Sequence, residues 1–403
     1  MAWAAGDPGW RLLGALALAA LVKAACGGVP TTKEDAVASG IASVLADFGP
    51  EVALPALARA RAAAEGLQTA TADLAAATAA GQPAEAERLA AQAAWWQAMA
   101  AWQEVELLQV GPLASSLSAV AGGDLRDEAY SWPTVNACRV DQETVLGEYG
   151  GADFFETRLV NVIGLDALEV LLYSPEGENH CPAQVDINAD GSWEALGAAG
   201  QRAARAAYAS ALAEHLVATV GEAQQAYDPD GDDFSGELAR AGEPGSPYAS
   251  AEEGLNAIFH AAFYLETAVK DRKLGFALGT GACAEDSCLD EVESPLAGGS
   301  AAWIAINLRA SRTLLEGGSG SGIADLLRVL GEEALADALL AALDRATLAA
   351  EALPGDLPTA MEADPAAVVA LEAAVKEATD LLKGDVATVL RLQLPAEAAG
   401  DND

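Results

Sequence analysis

Two acidic residues three positions apart, Asp166 and Glu169, lie in the run Asn161-Val-Ile-Gly-Leu-Asp-Ala-Leu-Glu-Val-Leu-Leu-Tyr173, which is otherwise apolar almost all round. A helix apolar on every side is normally buried. A buried carboxylate is costly unless it is paired, hydrogen-bonded or bound to a cation. On a helix expected over about 153–173, Arg158, Asp166, Glu169 and Tyr173 fall within an arc of about 80°. The pair can share a proton, bind a hard cation such as Ca²⁺, Mg²⁺ or ferric iron, or receive Arg158. The residues alone leave three uses open: an internal ion-pair network, a metal or ligand site, or acid–base chemistry.

A second acidic pattern, Asp186-Ile-Asn-Ala-Asp-Gly-Ser192, places oxygen donors at Asp186, Asn188 and Asp190 and then a glycine, as a calcium loop begins. The twelfth position is Gly197 rather than Glu, so a full EF-hand is excluded, and an Asx-rich turn entering the next helix is the alternative. Asp228, Asp230 and Asp232 read as a turn. His180, His215 and His260 are isolated, without His-x-x-x-His spacing, and read as surface or packing residues. No nucleophile elbow, phosphate loop or dinucleotide fingerprint is present. Trp95, Trp96 and Trp102 suit a bundle core. Trp132 fits either a cleft or the core.

These groups need elements to hold them. The chain has 403 residues, half of them hydrophobic and many of those alanine, with no Val/Ile/Thr alternation. That composition favours close-packed helices over sheets. Helical patterning runs through about 33–48, 51–80, 84–110, 153–173, 192–227, 248–273, 300–316, 321–353 and 364–392. Breaks fall at Gly49-Pro50, Gly81-Gln-Pro83 and Gly111-Pro112, and Thr31 with Glu34 offers a capping box. A net charge of −38 excludes a nucleic-acid grip, which needs clustered Lys and Arg. The same acidity attracts cations.

The N-terminus reads as an export signal. Arg11 precedes an apolar run from Leu12 to Val22, short for a membrane span but of signal-core length. Lys23-Ala-Ala-Cys26-Gly27 resembles a bacterial lipoprotein cleavage site in which Cys26 becomes lipidated, although Lys23 stands where an aliphatic residue is usual. Gly27 in place of Asp favours the outer membrane, and ordinary secretion is the alternative. The four remaining cysteines, in an exported chain, imply disulfides. Cys283 and Cys288 bracket a short loop and pair economically. Cys138 then pairs with Cys181, a bridge contributing about 3–4 kcal/mol in the chain-entropy model. The expected organisation is a signal over 1–25, a tether over 26–33, helical bundles over 34–230 and 231–395, and a tail over 396–403. Asn161-Val-Ile…Leu168-Glu169 is faintly echoed by Asn256-Ala-Ile…Leu265-Glu266.

Several motifs, in order, resemble the imelysin-like family of bacterial envelope proteins. They are Trp102 with Glu106 and Gly111-Pro112, Ser131-Trp132-Pro133, and Gly164-Leu-Asp-Ala-Leu-Glu169. Then come Lys273-Leu-Gly with Leu278-Gly279, Glu293-Ser-Pro-Leu-Ala-Gly-Gly-Ser300, and Asn307-Leu-Arg-Ala-Ser-Arg312. The resemblance covers essentially the whole mature chain. It implies an all-α fold of two related helical bundles, an internal duplication, around a central cleft. It implies an association with peptidase activity and with iron acquisition. Glu169 matches the family's Gly-x-His-x-x-Glu signature directly, whereas Asp166 stands where the histidine would be. Aspartate is a harder, more acidic group than imidazole, which weakens a metallopeptidase reading and suits binding better. By motif proximity the resemblance also implies Arg139, Lys273, Glu293, Ser294 and Arg312 as cleft residues.

The expectation is an exported, lipid-anchored binding protein for iron or another metal, with Asp166 and Glu169 holding the cation or orienting Arg312 towards a ligand. Its partners would be the membrane, through the anchor, and envelope uptake proteins; iron or calcium would be the cofactor. A metal-dependent peptidase and a structural or adaptor lipoprotein are the rivals.

Overall fold

The computed structural model describes residues 32–395 apart from Ala152, Ala282, Ala284 and Asp286. The export signal, Cys26, Thr31 and the tail from 396 lie outside the described residues. Among those described, the regular elements are all helical. The principal helices are α1 (Lys33–Asp47), α2 (Leu54–Ala79), α3 (Glu85–Val105), α4 (Ala137–Leu146), α5 (Gly164–Tyr173) and α6 (Ser192–Tyr227). They continue with α7 (Ala251–Ala262), α8 (Ser300–Glu316), α9 (Ile323–Leu330), α10 (Glu333–Glu351) and α11 (Pro365–Leu381).

Local chemistry explains the ends. Thr32 Oγ1 accepts from Asp35 N (3.1 Å) and caps α1, so the cap sits one residue beyond Thr31. Asn136 caps α4 and Ser250 caps α7 in the same way. Gly49-Pro50 does not break the chain. Phe48–Ala53 instead forms a wide π turn that carries α1 into α2. The pattern over 321–353 divides in two at Gly331, whose φ of 86° ends α9. The pattern over 248–273 becomes α7 followed by a second π segment, Leu265–Leu274.

Helix α2 packs between α6 and α3, and α5 lies against both α3 and α6. In the second half α10 packs between α8 and α11, and α11 lies on Leu265–Leu274. Contacts between α3 and α8 join the two sets, while α1 packs on α7 and α9. One apolar core cluster draws on residues from both halves. Trp95 and Trp102 are buried in it and Trp96 packs at its margin.

The expected helix over 153–173 is shorter than its pattern. A brief turn at Phe154–Thr157 and a 3₁₀ turn at Val160–Val162 precede α5. Arg158 is therefore not on the Asp166 helix, and the four-residue stripe reduces to Asp166, Glu169 and Tyr173. Both disulfides form as paired above, Cys138–Cys181 and Cys283–Cys288.

Candidate functional site

Helix α5 starts at a glycine for a steric reason. Gly164 has a φ of 83°, and a Cβ there would stand 2.7 Å from the Ala129 carbonyl oxygen. That close approach lays Ala129–Trp132 across the first turn of α5. Ser131 Oγ then donates to Asp166 Oδ2 at 2.7 Å, and Ala167 N donates to Oδ1 at 3.0 Å. One turn later Glu169 Oε1 accepts from two backbone amides of the Glu293–Gly299 strap, Leu296 N (2.9 Å) and Ala297 N (2.8 Å). The two carboxylates are 3% and 5% exposed. Burial pushes Asp166 up to about 7 and Glu169 up to about 8, hydrogen bonds opposing it in both. The charges of Asp166 and Glu293 raise Glu169 further.

Beneath the strap is a second buried group. Lys273, on the π segment, donates from Nζ to Gln103 Oε1 (2.8 Å) and Asn307 Oδ1 (2.8 Å), and pairs with Glu293 Oε2 at 2.9 Å. Glu293 Oε1 accepts from Tyr130 OH (2.8 Å) and Gln103 Nε2 (2.9 Å). Burial raises the Glu293 pKa, against the pull of Lys273. Glu106 completes the group, bonded to Tyr264 OH and paired with Arg126 at 3.2 Å. Ser294 Oγ accepts from Trp303 Nε1 at 2.9 Å. Trp303, Trp95, Trp96 and Tyr173 form an aromatic cluster beside Glu169. Trp132 is buried edge-on to Phe276, 5.7 Å between ring centres, and belongs to the core.

Of the residues singled out in sequence, the fold thus brings together Asp166, Glu169, Lys273, Glu293 and Ser294. Trp132 follows Ser131 into the core beside them, and the rest lie elsewhere. Arg139 and Arg158 both pair with Glu143, at 2.7 Å and 3.3 Å. Arg312 pairs with Glu316 and Asp344. Asp186–Ala189 forms a helical turn, in which alternate residues point apart instead of converging on a calcium ion. Asn188 is bonded to Asn179 and Cys181 O, while Asp190 Oδ1 accepts from Ser192 N, as an Asx turn does. Tyr130 and Gln103 are site residues that sequence patterning does not single out. Gln103 had a signal, as a lone amide beside Trp102 on an apolar helix face.

Seven acidic side chains are buried among the described residues: Glu106, Asp141, Glu143, Asp166, Glu169, Glu266 and Glu293. Five pair with a cationic or ring nitrogen: Glu106 with Arg126, Asp141 with Arg205 and His180, Glu143 with Arg139 and Arg158, Glu266 with Lys270 and Lys383, and Glu293 with Lys273. Asp166 and Glu169 are held only by neutral donors. The donor set does not fit a resident caged metal, because no group of three or more His, Cys, Asp or Glu placed to hold one occurs among the described residues.

The family model for imelysin matches residues 53–383. An iron-regulated protein A precursor from Parabacteroides distasonis superposes with a TM-score of 0.65 at 15% identity, over 90% of this chain and 97% of that one. An imelysin-like protein from Psychrobacter arcticum superposes with a TM-score of 0.63 at 17% identity, over 92% of this chain and all of that one. At these identities the likeness is one of fold. No curated protein matches the chain.

Proposed function

From the premise that this chain belongs to the imelysin family, we propose that it is an exported binding protein of the cell envelope, lipid-anchored through Cys26, whose cargo is a metal, iron foremost. One observation carries the reading: Asp166 and Glu169 are, among the described residues, the two buried carboxylates without a cationic partner, and they sit one turn apart on the signature helix. Both hydrogen bonds to Glu169 use Oε1, which leaves Oε2 to meet a ligand. A pair this short of ligands suits a cation that arrives with ligands of its own, such as chelated ferric iron. The Parabacteroides neighbour carries the name of an iron-regulated protein A precursor, which agrees with that cargo. Two disulfides agree with an oxidising compartment.

Peptide hydrolysis on a resident metal is the weaker reading, because the donors at Asp166 are too few. The test is calorimetric titration of the mature chain with ferric citrate, wild type against Asp166→Asn/Glu169→Gln. Glu169→Gln keeps both amide hydrogen bonds on its oxygen. Asp166→Asn keeps the Ala167 bond and turns Ser131 Oγ from donor to acceptor. The charge is removed, so affinity should fall at least about tenfold. Equal affinity in the two proteins means the site is elsewhere. Palmitate labelling of the full-length chain in a bacterial host, lost in Cys26→Ala, tests the anchor.

A further inference from the structure

Directly after the signature helix, the chain assembles a serine, a histidine and a buried aspartate. Ser174 caps the C-terminus of α5, and its Oγ is 3.5 Å from His180 Nε2. His180 Nδ1 lies 2.8 Å from Asp141 Oδ2, which also accepts the His180 backbone N–H at 2.7 Å. Asp141, on α4, is fully buried, and Arg205 approaches its other oxygen at 3.3 Å. The Cys138–Cys181 bridge ties the residue after His180 to a residue one turn before Asp141, so covalent structure holds the ring at its carboxylate.

The protonation pattern is set by the acceptor. Facing Asp141, Nδ1 carries the hydrogen, and Nε2 is left with its lone pair towards Ser174. The Ser174 hydroxyl has two acceptors in reach, Nε2 and the Val170 carbonyl oxygen. Rotation about Cβ–Oγ transfers its hydrogen bond from one to the other. A nucleophile–base contact this long is common before substrate binds. Arg205 positions the intervening loop by donating to Pro175 O (3.1 Å) and Glu178 O (2.5 Å), and its buried Nε has no partner. Ser174 and His180 are only part-buried, the His180 side chain being 27% exposed.

We propose that Ser174, His180 and Asp141 form a second reactive centre, a serine acyl-transfer site that hydrolyses carboxylic esters. Ser174 Oγ bonds to the acyl carbon while its proton passes to His180 Nε2. The tetrahedral species expels the alcohol, which takes that proton. Water then attacks the acyl-serine, giving a proton to His180 that returns to Ser174 Oγ as the acid leaves. Asp141 acts through the histidine as a positioning residue, holding the tautomer and stabilising the imidazolium. Esters are favoured over amides because an alkoxide leaves more readily, and the anchored Arg205 is, among the described residues, the only cationic side chain paired to this cluster.

The experiment treats the mature, disulfide-intact chain with a fluorophosphonate probe and with p-nitrophenyl acetate. The probe should add to Ser174, located by peptide mass mapping. Ser174→Ala, which gives up one hydroxyl bond to Val170 and should fold normally, abolishes both adduct and turnover. His180→Gln slows both at least about 100-fold. Asp141→Asn, assayed on its folded fraction, lowers kcat while KM holds. Wild-type protein without a Ser174 adduct, or Ser174→Ala hydrolysing the ester at the wild-type rate, overturns the proposal. Neither readout depends on metal binding at Asp166 and Glu169.

Discussion

Helices α4 and α5 pack on one another, and each buries two carboxylates, yet they solve the problem of buried charge in opposite ways. On α4, Asp141 meets Arg205 and His180, and Glu143 meets Arg139 and Arg158. On α5, Asp166 and Glu169 meet a hydroxyl and backbone amides. Hydrogen bonds satisfy an oxygen without neutralising it, so the α5 pair keeps its desolvation cost. A fold that matches charges a few ångströms away has left this pair ready for a proton or a cation. The contrast, more than the presence of acids, is what sets α5 apart from the other helices that bury carboxylates.

The largest expected effect follows from that contrast and depends on pH. Asp166 and Glu169 have folded-state values of about 7 and about 8, above their ordinary ones. The native state therefore holds more protons than the unfolded chain between about pH 4 and 8, and stability falls as pH rises through that window. At about 1.4 kcal/mol per pKa unit for each carboxyl, Asp166→Asn/Glu169→Gln should be more stable than wild type at pH 9 by on the order of 9 kcal/mol, and equal to it near pH 4. Urea denaturation across pH reads this directly. Parallel curves for the two proteins would show that the pair is solvated or cation-matched after all. Glu293, also raised, leaves some slope in the variant.

The same chemical change on α4 should act with the opposite sign. Asp141→Asn strands the buried Arg205 and removes the anionic acceptor for two His180 N–H groups. Removing one partner of a buried pair leaves an uncompensated charge, costing about 3–4 kcal/mol. A loss below about 1 kcal/mol in urea denaturation at pH 7 would erase the distinction between the two helices.

The sequence carried one side of this contrast better than the other. Asp166 and Glu169 stand out because they interrupt an apolar run, a local signal that needs no partner. The all-helical class, both disulfide pairings and the span of α8 were legible for similar reasons, from composition, cysteine spacing and helix periodicity. The matching on α4 was not legible, because Arg205 lies 64 residues from Asp141 and periodicity cannot pair distant elements. A clue did exist: the expected Cys138–Cys181 bridge places His180 within reach of Asp141, which lies three residues after Cys138. Arg158 misled for the converse reason. Its spacing fitted the stripe, but the segment before Gly164 is broken into short turns. The relation of Glu169 to Leu296 and Ala297 spans about 130 residues through backbone amides, which carry no side-chain signal at all.

Two glycines sharpen the comparison at smaller scale. Gly147 ends α4 with a φ of 69° and open space where a Cβ would go, so Gly147→Ala should cost only the left-handed strain, about 1 kcal/mol. Gly164 begins α5 with a similar φ, but its Cβ would press on the Ala129 carbonyl and come within 3.2 Å of Asp166 Oδ1. Gly164→Ala should therefore cost about 2–3 kcal/mol. It should also move Ala129–Ser131 away from α5 and weaken the Ser131 hydrogen bond, one of the contacts that hold the Asp166 pKa down. Asp166 in Gly164→Ala should then titrate at higher pH than in wild type, followed by carboxyl-carbon NMR, while Gly147→Ala leaves it in place. Equal costs for the two substitutions would mean that the approach to Ala129 relaxes freely, and that the glycine opening the signature helix serves conformation alone.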